Sequence, residues 1–240
     1  MRNHNNASPV LKPTGHESVS LKPMNTSLSG LKAELALVPS LVDQQKVYQL
    51  NNHHDQRPQV ESFIKNIFKE HHAAQVSSFL PSLFAVFNDR DETQSALGIK
   101  NASQGNLYLE HYLDNTIEEL LQSILSESVN RREIVEIGNL ASQNSASCKA
   151  LFAHITQHLQ DQNVKWITCT GTATLRVVFK RLGIKAIAIH KADQNRLGDE
   201  QYAWGNYYQN DPQVMLINVS ETNQHFINVK KANQLRHATH

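Results

Sequence analysis

EIVEIGNLA, the segment Glu133–Ala141, carries the strongest structural signal of the chain. After its opening Glu, apolar side chains occupy both faces of the segment, and only Glu136 and Asn139 interrupt them. This pattern is typical of a central strand that is covered on both sides. A polar turn at 142–145 follows, and the residues after it have the spacing of an amphipathic helix. The apolar stripe of that helix comprises Cys148, Leu151, Phe152, Ile155 and Leu159.

Downstream of this helix, strand and helix patterns continue to alternate. Val164–Cys169 is predicted to be a strand, and the helix after it should end at Gly183, the C′ residue, with Ile184 closing the end. The stripe of this helix comprises Leu175, Val178, Phe179 and Leu182. Ile184–Ile189 and Val214–Val219 are predicted to be further strands. This alternation implies right-handed crossovers and a parallel stretch of sheet.

Upstream, the pattern begins with a predicted strand at Val47–Leu50. An amphipathic helix follows, with a stripe made of Val60, Phe63, Ile64, Ile67 and Phe68. Leu83–Phe87 and Ala96–Ile99 predict a hairpin, which makes the whole sheet mixed. A second helix is predicted to start at Asn115, because Glu118 stands at the spacing of a capping box. The fold class is therefore α/β, with a mixed, partly parallel sheet flanked by helices.

Composition divides the chain into three parts. Residues 1–44 repeat Leu-Lys-Pro among polar residues, and such a segment buries too little apolar surface to offset the entropy of ordering. We therefore predict a flexible tail at 1–44, a folded domain at 45–222 and a C-terminal extension at 223–240. A docking motif in the Leu-Lys-Pro repeat is the alternative.

Charge and cysteine content restrict the class of protein. The net charge of +1 among 240 residues provides no global field that would attract nucleic acid or an anionic membrane. The two cysteines, Cys148 and Cys169, suit a reducing compartment. No apolar run approaches the roughly 20 residues of a membrane-spanning helix. We expect a cytoplasmic protein without a membrane span.

The order of elements resembles the N-acyltransferase fold of the acetyltransferase superfamily, known as the GNAT fold. Four runs also resemble the bacterial thermostable hemolysin family: YLEHYLDNTIEELL at Tyr108–Leu121, REIVEIGNLAS at Arg132–Ser142, TGTATLRVVFKRLGI at Thr170–Ile184 and WGNYYQNDPQV at Trp204–Val214. The central strand of that family is similar to those of acyl-homoserine-lactone synthases and long-chain N-acyl amino acid synthases. The resemblance implies an acyltransferase that moves a long-chain acyl group to the amine of a small molecule such as an amino acid.

The resemblance also implies how the acyl donor is held. Acetyltransferases place a glycine-containing motif before the helix that follows the central strand, whereas only Gln143 matches that motif here. This departure favours acyl carrier protein over acyl-CoA as the donor, and no permanently bound cofactor is expected. The candidate donor-binding residues are the end of the strand and the loop after it: Gly138, Asn139, Leu140, Ala141, Gln143, Asn144, Ser145, Ala146 and Ser147. We expect the two central strands to diverge beside Gly138 and to open a cleft.

Several of these positions have more than one interpretation. The loop before the helix can bind phosphate through free N–H groups, or it can be a plain turn with Ser145 as the N-cap. Asn139 can hold the donor or cap a neighbouring loop. Gly138 can admit the pantetheine arm or merely a packed helix.

Glu136 is the candidate catalytic base. A carboxylate within an apolar strand is costly unless it is paired or functional. Desolvation raises its pKa toward the range in which it can take a proton from an ammonium group. An ion pair with Arg131, Arg132 or another base is the alternative.

An aromatic cluster at 204–208 supplies further candidates. Tyr207 and Tyr208 can protonate the departing thiolate, as the superfamily does, and Trp204 can line an acyl channel. A satellite hydrophobic cluster is the alternative. Glu110 and Tyr112 are candidate acceptor contacts, or else ordinary surface residues.

Other chemistries receive less support. His154 and His158 have the i, i+4 spacing of two zinc ligands, but no zincin pattern accompanies them, so no metal site is predicted. The family resemblance leaves a cytolytic, membrane-damaging protein as the alternative function. No amphipathic hairpin of the kind that builds a membrane barrel is evident. A binding module that has lost the chemistry is a third possibility.

Overall fold

The computed structural model of the protein describes residues 45–238, so the predicted tail at 1–44 lies outside the described residues. The described chain contains one mixed sheet, whose strands are β1 (Val47–Leu50), β2 (Ser82–Phe87), β3 (Thr93–Asn101), β4 (Ile134–Ser142), β5 (Trp166–Gly171), β6 (Ala186–Lys191) and β7 (Gln213–Asn218). The helices are α1 (Arg57–His72), α2 (Ile117–Leu125), α3 (Ser145–Asp161), α4 (Ala173–Leu182) and α5 (Val219–Ala238). Short 3₁₀ segments lie in the connections, among them Tyr108–Tyr112 and Gln194–Trp204.

The seven described strands are ordered β1-β2-β3-β4-β5-β7-β6. Only β4 and β5 pair in parallel, and every other neighbouring pair is antiparallel. The mixed sheet is therefore confirmed, but the predicted parallel stretch is limited to one pair. The reason is that β7 lies between β5 and β6, which separates two strands that the chain order would place side by side.

Apolar clusters cover both faces of the sheet. One face packs against α3, α4 and α5 through residues such as Phe152, Phe179 and Phe226. The other face is covered by α1, by α2 and by the 3₁₀ segments Tyr108–Tyr112 and Gln194–Trp204, with Ile64 and Leu121 fully buried. This double cover explains why β4 is apolar on both sides. Phe226 belongs to α5, so the predicted domain boundary at 222 falls inside a helix that packs on the main core.

The helix ends agree with the sequence in part. Gly183 ends α4 with φ of 74°, and the N–H of Ile184 bonds to the carbonyl of Phe179, which confirms the predicted C-cap. The predicted start of α2 is wrong by one residue, because the capping box uses Thr116 and Glu119. Glu118 instead bonds to Arg131, which removes it from the cap.

None of the helices within residues 45–238 has the length and hydropathy needed to cross a bilayer.

Candidate active site

The central feature of the site is a cleft between β4 and β5. The ladder between these strands ends at the pair Ile137 and Cys169, although both strands continue beyond it. A cavity of about 800 Å³ opens at this point and is lined by residues of both strands, including Gly138 and Gly171. The expected divergence beside Gly138 is therefore confirmed. A cavity of this size falls within the range of small-molecule sites.

A β-bulge in β4 shapes the cleft. Ala96 lies opposite Ala141 and Gly98 opposite Gly138, so two residues of β4, at 139 and 140, face a single residue of β3. Asn139 takes φ of 52°, in the left-handed region where Asn is better tolerated than most residues. The bulge leaves the β5-facing edge of β4 without a strand partner from Gly138 onward.

The side chain of Asn139 holds a neighbouring segment, residues 75–81, which we name the strap. Its Oδ1 accepts the N–H of Leu80 at 2.9 Å, and its Nδ2 donates to the carbonyl of Ser78 at 3.1 Å. Arg57, on α1, donates to the carbonyls of Leu80 and Pro81. Of the two interpretations of Asn139, the structure therefore supports the loop cap.

The strap lies along the cavity, and its Leu80 packs against Gly98 and Gly138. A Cβ added to Gly98 would lie 2.8 Å from the Cβ of Leu80, and one added to Gly138 would lie 3.0 Å from its Cδ1. Leu80 therefore needs both strands to be free of side chains at these points. Strap residues, among them Phe79 and Leu80, line the cavity together with α1.

Glu136 lies on the cavity wall and is 4 % exposed. Its two carboxylate oxygens accept the N–H groups of Tyr108 at 2.7 Å and Leu109 at 2.9 Å. These are the first N–H groups of a 3₁₀ turn, which have no carbonyl partner within the turn. Burial raises the pKa of Glu136 to about 7, against the opposing effect of the two backbone hydrogen bonds. The group is therefore poised to exchange a proton near neutral pH.

The alternative ion pair for Glu136 is not formed with Arg131. Arg131 instead bonds to Glu110 at 2.7 Å and to Glu118. Glu110 also accepts the N–H groups of Leu107 and Ile117. Although burial alone would raise the pKa of Glu110, the bonds from Arg131 and the backbone hold it below its usual value.

These contacts make Glu110 part of a structural network, and it does not line the cavity. The acceptor contact at Glu110 stays a prediction that this geometry does not favour, because its oxygens are committed elsewhere. Tyr112 does line the cavity, and its hydroxyl bonds to that of Tyr208 at 2.5 Å.

The aromatic cluster surrounds one side of the cavity. Trp204 and Tyr207 line it, whereas Tyr208 does not. The hydroxyl of Tyr207 donates to the carbonyl of Thr170 at 3.1 Å. Burial raises the pKa of Tyr207 and raises that of Tyr208 to about 12, so both phenols keep their protons at neutral pH. Of the two predicted proton donors, only Tyr207 is placed at the cavity.

The predicted donor-binding residues fall into two groups. Gly138, Asn139, Leu140 and Ala141 line the cavity, whereas the loop Gln143–Ser147 does not. In that loop Asn144 caps α3 by accepting the N–H of Ser147 at 2.9 Å, so Ser145 is not the N-cap. The N–H of Gln143 is bonded to the carbonyl of Gln94. Phosphate binding by this loop stays a prediction.

Sequence reasoning missed several polar residues of the cavity, of which Lys100, Tyr108 and His72 matter most for its chemistry. Lys100 lies directly opposite Glu136 in the β3–β4 ladder. Tyr108 donates its hydroxyl proton to Glu200 at 3.2 Å and accepts the indole N–H of Trp204 at 3.0 Å. His72 packs edge-on against Tyr207, and burial is the main cause that lowers its pKa. The alternation of side chains along β3 predicts which face of the strand carries Lys100. It does not predict that β4, with Glu136, is the neighbouring strand, because strand pairing depends on the tertiary fold.

The predicted absence of a metal site concerns His154 and His158. Their rings stack with centroids 6.3 Å apart, and both lie near Phe84. Within residues 45–238 no three His, Cys, Asp or Glu side chains are grouped so that they could hold a metal ion.

Comparison with known families identifies the family of the chain. Residues 50–223 match the model of the family described as thermostable hemolysin. The chain belongs to the thermostable hemolysin family. The match covers β2 to β7 and the whole cavity, so the family shares the segments that build the site. No curated protein sequence matches the chain significantly.

Solved structures give the fold. TofI in an apo form is 9% identical with a TM-score of 0.55, covering 76% of this chain and 96% of that one. The acyl-homoserine-lactone synthase LasI is 14% identical with a TM-score of 0.52, covering 73% and 90%. FeeM, an N-acyl amino acid synthase from uncultured soil microbes, is 13% identical with a TM-score of 0.50, covering 75% and 93%. This member of the thermostable hemolysin family therefore has the GNAT-like fold that is found in acyltransferases.

Proposed function

We propose that the protein is an N-acyltransferase, which moves a long-chain acyl group from acyl carrier protein or acyl-CoA to the amine of a small molecule. The observation that carries the proposal is Glu136: a buried carboxyl group with a pKa of about 7 on the wall of a cavity between two diverging strands. The likeness in fold to LasI, an acyl-homoserine-lactone synthase, and to FeeM, an N-acyl amino acid synthase, supports the same class of reaction.

The reaction needs a base because an ammonium group has no lone pair with which to attack. Glu136 takes one proton from the ammonium, and the free amine attacks the thioester carbonyl. The new C–N bond forms, the C–S bond breaks, and the thiolate takes a proton. Tyr207 lies at the cavity with its proton retained, so it is the candidate donor of that proton.

The donor is proposed to lie along β4. A pantetheine arm carries amides, and the edge of β4 from Gly138 to Ala141 has no strand partner on the β5 side. Amide groups pair well with such an edge. Because the loop Gln143–Ser147 lacks the glycines of acetyltransferases, acyl carrier protein, which presents a single phosphate, remains the favoured donor.

The apolar part of the cavity is the proposed site of the acyl chain. Its wall includes Ile67, Phe68, Phe79, Leu140, Leu175 and Val178. Each methylene that enters such a site contributes about 0.8 kcal/mol. A donor with four more buried methylenes than acetyl should therefore bind roughly 100-fold or more tightly. Binding of acetyl-CoA as tight as that of long-chain thioesters would contradict a long-chain site.

The direct test is product formation. Purified protein is incubated with acyl carrier protein or CoA thioesters and a mixture of amines, and free thiol and amide products are measured by mass spectrometry. Glu136→Gln should slow acyl transfer by roughly 100-fold or more, because it removes the base. The matched control is Glu70→Gln, on an exposed position of α1 that does not line the cavity.

The family description supports a second candidate, a protein that damages membranes directly. An N-acylated amino acid is an amphiphile, so an acyltransferase could also cause lysis through its product. Purified protein alone should not release the contents of lipid vesicles. Leakage that Glu136→Gln does not change, with no amide from any donor, would overturn the enzymatic proposal and favour the cytolysin.

A further inference from the structure

Lys100 and Glu136 are opposite charges that the sheet places side by side. They are direct partners in the antiparallel β3–β4 ladder, and both line the cavity. Side chains at opposed positions lie on the same face, a few ångströms apart, and opposite charges there usually attract and pair. A cross-strand ion pair is therefore the expected arrangement.

The structure does not form that pair. The Nζ of Lys100 donates to the carbonyl of Asn106 at 2.6 Å. The carboxylate of Glu136 is turned to the backbone N–H groups of Tyr108 and Leu109. Within residues 45–238, no ion pair within 4.0 Å includes either Lys100 or Glu136.

Two unpaired opposite charges on one cavity wall match a zwitterion. An α-amino acid carries its ammonium and its carboxylate on the same carbon, so one molecule presents both groups within a few ångströms. Its ammonium must approach Glu136 for the proton transfer already described. Its carboxylate then comes within reach of Lys100, whose ammonium has two N–H groups left after the bond to Asn106.

We infer that the acceptor is an α-amino acid with a free carboxylate, and that Lys100 binds this carboxylate. The inference rests on the proposed acyl transfer and adds the substrate class. In the reaction the amino acid loses two protons from its ammonium: one goes to Glu136, and the other replaces the proton that Tyr207 gives to the departing thiolate. The C–N bond replaces the C–S bond, and the products are an N-acyl amino acid and a free thiol.

The test compares three acceptors that share one side chain. The best acceptor among the common amino acids is identified first, and its methyl ester and its decarboxylated amine are then assayed with the same thioester. A charge-assisted hydrogen bond to the carboxylate should make kcat/KM for the free acid about 10- to 100-fold higher than for the ester or amine. Amide formed equally well from all three overturns the inference and leaves acyl transfer standing.

Variants of Lys100 separate recognition from folding. Lys100→Met removes the charge with little change of length, and it should abolish the preference for the free acid, mainly through KM. Lys100→Arg keeps the charge and should restore part of that preference. Lys180→Met, on an exposed position of α4 outside the cavity, should keep the preference in full.

Two further results contradict the inference. An equal loss for all three acceptors in Lys100→Met, not restored in Lys100→Arg, would show that Lys100 acts only on the structure. Failure to form any amide from any acceptor overturns the proposed acyltransferase, and the inference with it.

Discussion

The ionisation of Glu136 should make the stability of the fold depend on pH. Burial raises the pKa of this carboxyl from 4.5 to about 7 in the folded protein. The folded state therefore holds the proton more tightly than the unfolded chain does, and stability falls as the pH rises from about 4.5 through about 7. The full difference corresponds to about 3 kcal/mol. Of this, roughly 2–3 kcal/mol falls between pH 5 and pH 8.

Glu136→Gln removes this dependence because the amide cannot ionise. It also offers one oxygen and one NH₂ group to the N–H groups of Tyr108 and Leu109, so one of those donors loses its acceptor. That loss costs about 1–3 kcal/mol at every pH. Wild type should therefore exceed the variant in stability most clearly at pH 5, and the gap should narrow toward pH 8.

Urea unfolding of both proteins at a series of pH values measures the gap. Subtracting the two curves cancels the titration of groups that the proteins share. The free energy of unfolding of wild type minus that of Glu136→Gln should fall by roughly 2–3 kcal/mol between pH 5 and pH 8. The matched control is Glu70→Gln, which makes the same replacement at an exposed position outside the cavity.

A constant difference for Glu136→Gln would show that Glu136 ionises with an ordinary pKa, and its assignment as the base would lose its electrostatic support. A difference that grows with pH would show that the two N–H bonds outweigh burial, and that Glu136 is a permanently charged structural group.

Two further predictions concern the strap. Asn139→Ala should lower the free energy of unfolding by about 2–3 kcal/mol, since it loses two hydrogen bonds and puts Ala, which tolerates the left-handed region less well than Asn does, at φ of 52°. Asn139→Gly loses the same hydrogen bonds but adopts this φ without strain, so it should lower the free energy of unfolding by less than Asn139→Ala does. Faster hydrogen exchange of the Leu80 amide in both variants would report the release of the strap. Equal stabilities of the two variants would contradict the backbone contribution. Gly98→Ala should cost more than Gly138→Ala, because it meets the Cβ of Leu80 whereas the latter meets only the end of that side chain. Leu80→Ala should accordingly rescue Gly138→Ala but not Gly98→Ala in thermal unfolding, and rescue of both would refute the contact geometry.

The sequence pattern predicted helix ends well where residues close in sequence determine them. Gly183 ends α4 because a left-handed residue is needed there, and glycine adopts that conformation at little cost. The start of α2 was wrong by one residue, since Asn115 and Thr116 are both good caps and only the contacts of Glu118 and Glu119 decide between them. The predicted N-cap of α3 was likewise wrong by one residue, since Asn144 and Ser145 are both good caps and the structure uses Asn144.

The candidate site was predictable to a lesser extent. A carboxyl group in an apolar strand can be recognised in the sequence. The sequence therefore predicted that Glu136 is a buried acid with a raised pKa, as the structure has it. The role of Glu110 was not visible, because its partner Arg131 lies 21 residues away in the chain and is much closer in sequence to Glu136. Lys100 was missed because no local signal relates it to β4.

The sequence by itself determined the strand at β4, the helix after it and the acid within it, because periodicity and burial cost are properties of a short segment. Only the tertiary structure decided that β7 lies between β5 and β6, that β4 and β5 separate after Ile137, and that Lys100 faces Glu136. Strand order and register depend on which distant segments bury each other's apolar faces, and that choice is made by the whole chain at once.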